Sequence, residues 1–205
     1  MHGLLKNKAA LQRLVAEIDD AVQTGNVPGG MDEVVTDAQG KQLSYLQAVI
    51  KEGLRWLPPT GGLLAKQVPA EGDTIEGYFV PGGTILGFSQ FAVHHSPTLF
   101  GPDPLAFRPE RWLHTSRGGD EPSWDKIKEM EKNNELVFGY GKYSCLGKPI
   151  AFLELNKIFV ELLRRFEFEL INPEEPWKTA CYGIHLQRGL WVNVRMRKGS
   201  AVDDE

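Results

Sequence analysis

The sequence predicts an α+β fold, mainly helical, with small β-sheets and hairpins. Three observations carry this. Apolar residues recur at helical spacing in three stretches: Leu11, Leu14, Val15 and Ile18; Leu46, Val49, Ile50 and Leu54; and most turns of 150–166. Short β-type runs flank Pro81-Gly82-Gly83. Near the end, Leu190, Val192, Val194 and Met196 alternate with Trp191, Asn193, Arg195 and Arg197.

In order, 4–22 reads as a helix, and 24–40, rich in Gly, Asp and Pro, as a loop. Residues 44–57 form a second helix that Pro58-Pro59 ends. Thr74-Ile75, Tyr78-Phe79-Val80 and Thr84-Ile85-Leu86 read as strands, with Pro81-Gly82-Gly83 at the centre of a hairpin. His95-Ser96-Pro97 and Phe100-Gly101-Pro102-Asp103-Pro104 make a proline-rich connector, and 114–134 is polar and irregular. The helix over 150–166 is apolar nearly all round, which predicts burial. Gln187-Arg188-Gly189 reads as a turn before a half-buried strand, and 199–205 as a polar tail. There is no internal repeat.

With 205 residues the chain can bury one sizeable core. Hydrophobic content of 41% and charged content of 24% are those of an ordinary soluble globular protein. A net charge of −4 with no long basic run argues against nucleic acid as a partner. No apolar stretch approaches the length of a membrane span, and Met1-His2-Gly3-Leu4-Leu5-Lys6 is not a signal peptide. Two widely spaced cysteines, Cys145 and Cys181, do not read as a disulfide framework. There is no C-x-x-C, H-E-x-x-H or Walker loop. The adjacent His94 and His95 read as structural or surface residues, and Cys181 as a small buried or loop residue.

The chemistry concentrates between Phe138 and Ala151, where a glycine-rich loop delivers Cys145 to the mouth of the apolar helix. Glycine lets backbone approach a bulky ligand, and a helix N-terminus beside a sulfur favours thiolate. On the cysteine alone, a metal-bound thiolate competes with a buried, inert residue. The register of Phe138, Gly141, Cys145, Gly147 and Ala151, F-x-x-G-x-x-x-C-x-G-x-x-x-A, resembles the haem-binding signature of the cytochrome P-450 family. Upstream, Glu52 and Arg55 form an E-x-x-R pair, by itself as consistent with a surface ion pair. Phe107-Arg108-Pro109-Glu110-Arg111-Trp112 follows, and the family has E-x-x-R, P-E-R-[FW] and the cysteine loop in this order.

The resemblance implies the C-terminal, proximal-haem part of the cytochrome P-450 fold over residues 1–198. It implies haem b, with Cys145 as axial iron ligand, Phe138 packed on the thiolate side, and Gly141 and Gly147 leaving room for the porphyrin. Where relatives carry Arg or His for a haem propionate, this chain has Tyr143 beside Lys142. Lys66 stands where relatives often place a propionate-binding arginine; a solvated lysine is the equal alternative. Glu52, Arg55 and Arg111 become a buried, structural ion cluster. Thr60, Gly61, Gly62 and Leu63, with Tyr182 and Ile184, border the substrate pocket; a plain hairpin is the alternative for 182–184.

By the same resemblance the protein is a haem-thiolate monooxygenase acting with O2 on a small apolar organic substrate, in secondary metabolism. Its electrons come from NADPH through a cytochrome P-450 reductase type donor. The wording G-K-Y-x-C-L-G is similar to pisatin-demethylase-like members. No A-G-x-x-T string of the distal helix occurs, so no catalytic residue is assigned in this chain. The full-length parent is expected at the endoplasmic reticulum membrane. The chain alone, without an anchor, is expected to be cytosolic and inactive. The alternatives are a non-catalytic remnant with weak or no haem binding, and a zinc or redox protein using Cys145, Cys181 and a histidine.

Overall fold

The computed structural model describes residues 1–114, 122–175 and 177–197. Helices and small antiparallel sheets build an α+β, mainly helical fold, as the sequence predicts. Among the described residues, no helix is long and apolar enough to cross a membrane. The tail 199–205 and residues 115–121 lie outside the described residues.

The first expected helix is two, α1 (His2–Lys6) and α2 (Lys8–Gln23). Asn7 leaves the helical region at φ −113° and ψ 85°, and its side chain accepts the Ala10 N–H at 3.1 Å. The break is therefore an N-cap that periodicity alone does not reveal. Leu14, Ile18 and Ala21 of α2 point into the main core.

The expected loop over 24–40 contains the start of α3 (Asp37–Gln42). Thr36 and Gln39 form a capping box: Thr36 Oγ1 accepts the Gln39 N–H at 3.2 Å, and Gln39 Oε1 accepts the Thr36 N–H at 2.9 Å. Helix α4 (Ser44–Trp56) follows and is capped from outside, since Glu17 of α2 accepts the N–H groups of Tyr45 (2.8 Å) and Leu46 (3.0 Å). Leu46, Val49 and Ile50 bury one face of α4 against α2 and the last helix.

Strand β1 (Lys66–Gln67) is followed by β2 (Asp73–Ile75), β3 (Tyr78–Val80) and β4 (Ile85–Leu86). The hairpin is β2–β3, and it turns at Glu76 (φ 51°) and Gly77 (φ 81°), a two-residue turn with both φ positive. The residues Pro81-Gly82-Gly83 do turn, but the strand that leaves them, β4, pairs with β1 and not with β3. A turn sequence fixes a change of direction; the partner strand is chosen by tertiary packing.

Helix α5 (Gln90–His94) leads into the connector, which holds the short helix α6 (Pro97–Phe100), and a 3-10 turn follows at Pro109–Trp112. The expected irregular stretch contains α7 (Trp124–Asn134), capped where Ser123 Oγ accepts the Lys126 N–H at 3.2 Å. Its Ile127 and Met130 pack on Phe100, Trp112 and Ala48 in a second, smaller cluster.

Helix α8 (Lys148–Arg165) is buried along one face only. Val160 and Leu163 enter the main core, while Ile150 (64%), Leu153 (46%) and Ile158 (49%) remain exposed. The expectation of a helix buried all round is thus corrected. Gly40 of α3 meets α8 so closely that a Cβ there would overlap the Asn156 carbonyl. Gln47 Nε2 clamps the crossing by donating to Gly40 O (3.0 Å) and Asn156 Oδ1 (2.9 Å). Gly40→Ala is therefore expected to cost about 1–3 kcal/mol, read as a lower Tm in a thermal melt.

Strand β5 (Phe166–Leu170) takes over where the helix ends at Arg165, one residue short of the expected Phe166, and pairs with β8 (Val192–Met196). Between them in sequence, β6 (Lys178–Cys181) and β7 (His185–Arg188) pair with each other in a separate two-stranded sheet. Gln187 and Arg188 belong to β7; only Gly189, at φ 78°, turns. Strand β8 is mostly exposed, with Val194 at 51% and Met196 at 45%, instead of half-buried. Arg197 clasps Asp19 of α2 with two bonds of 2.7 Å and donates to Leu163 O at 3.0 Å.

Candidate active site

The cysteine loop begins where α7 ends. Glu135–Phe138 forms a 3-10 turn, Gly139 reverses the chain, and Gly141–Tyr143 forms a second 3-10 turn. Gly139 needs φ 73°, and a Cβ there would sit 2.6 Å from Tyr143 O, so only glycine closes this turn. The Cys145 N–H donates to Phe138 O at 2.6 Å, which fixes the cysteine backbone against the start of the loop. A Cβ on Gly141 would meet nothing within 4 Å, and one on Gly147 would touch Cys145 Sγ at 3.6 Å. Helix α8 starts directly after, at Lys148.

Cys145 is exposed and lines a cleft of about 830 Å³. Leu64, Lys66, Val68 and Phe88 form one side; Val137, Phe138, Tyr140 and Tyr143 form the other. The volume is that of a small-molecule site, and the walls are mostly apolar. The Phe138 ring packs 5.5 Å from the ring of Phe152 on α8. Lys66 Nζ stands 4.2 Å from the Tyr143 ring centroid and Lys142 Nζ 5.1 Å from it, so two ammonium groups flank one phenol at the cleft.

Glu52, Arg55 and Arg111 meet, with side chains 0%, 0% and 2% exposed. Arg55 grips Glu52 through two bonds of 2.8 Å. Arg111 Nε donates to Glu52 Oε1 at 3.1 Å, Trp112 Nε1 to Oε2 at 2.9 Å, and the Arg108 N–H to Oε1 at 2.7 Å. The remaining guanidinium donors reach carbonyls: His94 O and Ala106 O for Arg55, Phe100 O and Asp103 O for Arg111. Every charge is paired and hydrogen-bonded, the condition under which burial is tolerable. The cluster's bonds go to segment 94–112; Arg55 reaches His94 O, and the His94 ring lies 3.4 Å from Asn134 O at the head of the cysteine loop. His94 Nδ1 donates to Gln90 O at 2.8 Å, and Asn134, at the head of the loop, donates to Lys51 O of α4 at 3.0 Å. Sequence reasoning missed Trp112 and Asn134. Trp112 sits inside the quoted P-E-R-[FW] string, whereas nothing local marks Asn134.

Burial pushes the His94 imidazole below its ordinary value of 6.5. The unfolded chain then takes up a proton that the folded chain refuses, so this contribution is complete above pH 6.5 and is lost as pH falls toward the folded value. Burial moves His2 and His95 the same way. We expect Tm to drop between about pH 7.5 and about pH 5.5, with a shallower slope in His94→Gln.

The segment holding Thr60, Gly61, Gly62 and Leu63 lies against the β6–β7 turn. Thr60 bridges Ile184, the Gly61 N–H donates to Gly183 O at 3.0 Å, and the His185 N–H donates to Pro59 O at 3.1 Å. Of the six candidate pocket residues only Thr60 lines the cleft with Cys145; Leu63, Tyr182 and Ile184 are exposed. Cys181, expected to be buried or in a loop, is exposed on β6. Its sulfur takes the space a Gly61 Cβ would need. Among the described residues, neither cysteine joins a group of three His, Cys, Asp or Glu side chains that could hold one metal ion.

Comparison with known proteins bears on this geometry. The family model described as Cytochrome P450 matches residues 1–188. The chain is 41% identical over 185 residues to Cytochrome P450 monooxygenase ABA1 of Pyricularia oryzae, covering 90% of this chain and 34% of that protein. It is 40% identical over 189 residues to Cytochrome P450 monooxygenase aba1 of Botryotinia fuckeliana, covering 92% and 35%. It is 36% identical over 198 residues to Cytochrome P450 monooxygenase cicH of Emericella nidulans, covering 97% and 37%. The chain thus spans about a third of the length of the curated relatives it matches.

Proposed function

As the chain belongs to the cytochrome P-450 family, we propose that it forms the haem-ligating part of a monooxygenase with Cys145 as the iron ligand. The observation that carries this reading is an exposed cysteine sulfur on the wall of an 830 Å³ cleft. The residues present fit haem b. The walls are largely apolar, Gly147 places no Cβ beside the sulfur, Gly141 keeps its turn open, and the ammonium groups of Lys66 and Lys142 stand ready for propionates. Bound there through thiolate, haem supplies O2 activation.

The chain's own residues position and exclude. Phe138 and Phe152 shield one side of the loop from water, Gly139 holds its turn, and the Cys145 amide is tied back to Phe138. Glu52, Arg55 and Arg111 hold α4 to the 94–112 segment. Thr60 meets the apolar substrate on the cleft wall, and the adjoining strip of Gly61, Gly62, Leu63, Tyr182 and Ile184 borders it from outside this cleft. In the whole protein, NADPH would deliver electrons through a reductase partner at the endoplasmic reticulum membrane. A polypeptide of these 205 residues alone is expected not to turn over and to hold haem weakly, since Ile150 and Leu153 of α8 have no cover.

The test is a haem titration of the full natural chain, reduced and exposed to carbon monoxide. A strongly red-shifted Soret band is expected, and its absence in haem-saturated protein would overturn the assignment. Lys66→Ala is expected to weaken haem binding about two- to fivefold, the scale of one exposed ion pair.

A further inference from the structure

We propose that Gln90 is a positioning residue that braces the two sides of the cleft, so that the wall at Thr60 and the loop carrying Cys145 move as one unit. Its functional meaning rests on the cytochrome P-450 reading above; its geometry does not.

Gln90 opens α5 and is 1% exposed. Its Oε1 accepts the Thr60 hydroxyl at 2.7 Å. Its Nε2 donates to Leu136 O at 3.2 Å and Val137 O at 3.4 Å. Thr60, Leu136 and Val137 all line the cleft that Cys145 lines. A carboxamide has an acceptor at one end and donors at the other. One side here presents a hydroxyl and the other presents carbonyls, which can only accept, so the amide orientation follows from its partners. An apolar side chain at this buried position would take a partner from the Thr60 hydroxyl and from the carbonyls of Leu136 and Val137, a cost that a carboxamide held at both ends avoids.

Each end continues into structure. On the Thr60 side, the Leu64 N–H donates to Phe88 O at 3.1 Å and Leu63 bridges Ser89, so the wall runs beside the residues that lead into Gln90. On the loop side, the Gly139 N–H donates to Leu136 O at 2.9 Å, and Phe138 O holds the Cys145 N–H. Gln90 O accepts from His94 Nδ1, which anchors the brace to α5. A ligand pressing on Thr60 is therefore felt, through one side chain, at the carbonyls that precede the ligand loop.

The experiment is hydrogen–deuterium exchange on the full natural chain, following peptides over 59–64 and 136–146. Thr60→Val and Gln90→Met should each speed exchange in both segments about five- to tenfold. Thr60→Ser, which keeps the hydroxyl, should match the parent protein. If Thr60→Val loosens 59–64 and leaves 136–146 unmoved, the brace is refuted. Should Gln90→Met fail to fold, the Thr60 pair decides alone. The Soret band of the reduced carbon monoxide adduct, recorded on the same samples, separates the two readings: a missing band in the parent protein overturns haem ligation, while exchange coupling judges the brace.

Discussion

Cys145→Ala abolishes the red-shifted Soret band of the reduced carbon monoxide adduct and lowers haem affinity by more than about 100-fold, because loss of a mere supporting partner already costs 10–100-fold. The same substitution leaves the melting temperature of the haem-free protein nearly unchanged. Cys145 is exposed, and what fixes its place is its backbone N–H on Phe138 O, which alanine retains. An exposed position without side-chain partners moves stability by no more than about 0.5 kcal/mol. The pairing of a lost spectrum with an intact fold distinguishes a ligand from a structural cysteine. A variant that kept its spectrum would dismiss Cys145 from the iron.

Arg55→Ala has the opposite signature. Its guanidinium is wholly buried, and its removal takes two of the five hydrogen bonds from the Glu52 carboxylate, leaves Arg111 as the carboxylate's remaining cation, and takes a donor from the carbonyls of His94 and Pro104. Breaking such a pair costs about 3–5 kcal/mol, a large part of the ~5–15 kcal/mol that holds a typical domain. Loss of soluble protein is expected, and Arg55→Lys should not rescue it, since an ammonium cannot make the two-bond grip on Glu52. Solubility and Tm matching the parent protein would mean that the cluster does not hold the fold.

Legibility tracked how local each signal is. Helix α4 was readable because its apolar spacing and its E-x-x-R pair lie within four turns. The cysteine loop was readable because glycine at fixed offsets is a backbone requirement, as Gly139 and Gly141 show with positive φ. Helix α3 escaped because it is only 6 residues long and carries Gly40, and a capping box at Thr36 and Gln39 with a close approach at Gly40 sustains it. Helix α7 escaped because its apolar residues, Trp124, Ile127 and Met130, are sparse among charges. The partner of β4 and the bare face of α8 depend on residues far away in sequence, which no window contains. At the site the cysteine and the ion triad came from motif spacing, whereas Gln90 and Asn134 matter through what they reach, and a sequence does not display reach.

The clasp of Arg197 on Asp19 joins residues 178 positions apart, and Leu14 and Ile18 share their core with Val160 and Leu163. Helix α2 can meet α4 early, but its contacts with α8 close only once Val160 and Leu163 have been made. Such late closure makes for slow maturation and long exposure to chaperones and proteases. Without Val160 and Leu163 the cluster of Ala48, Phe100 and Trp112 could still form, but the main core would lack its α8 side.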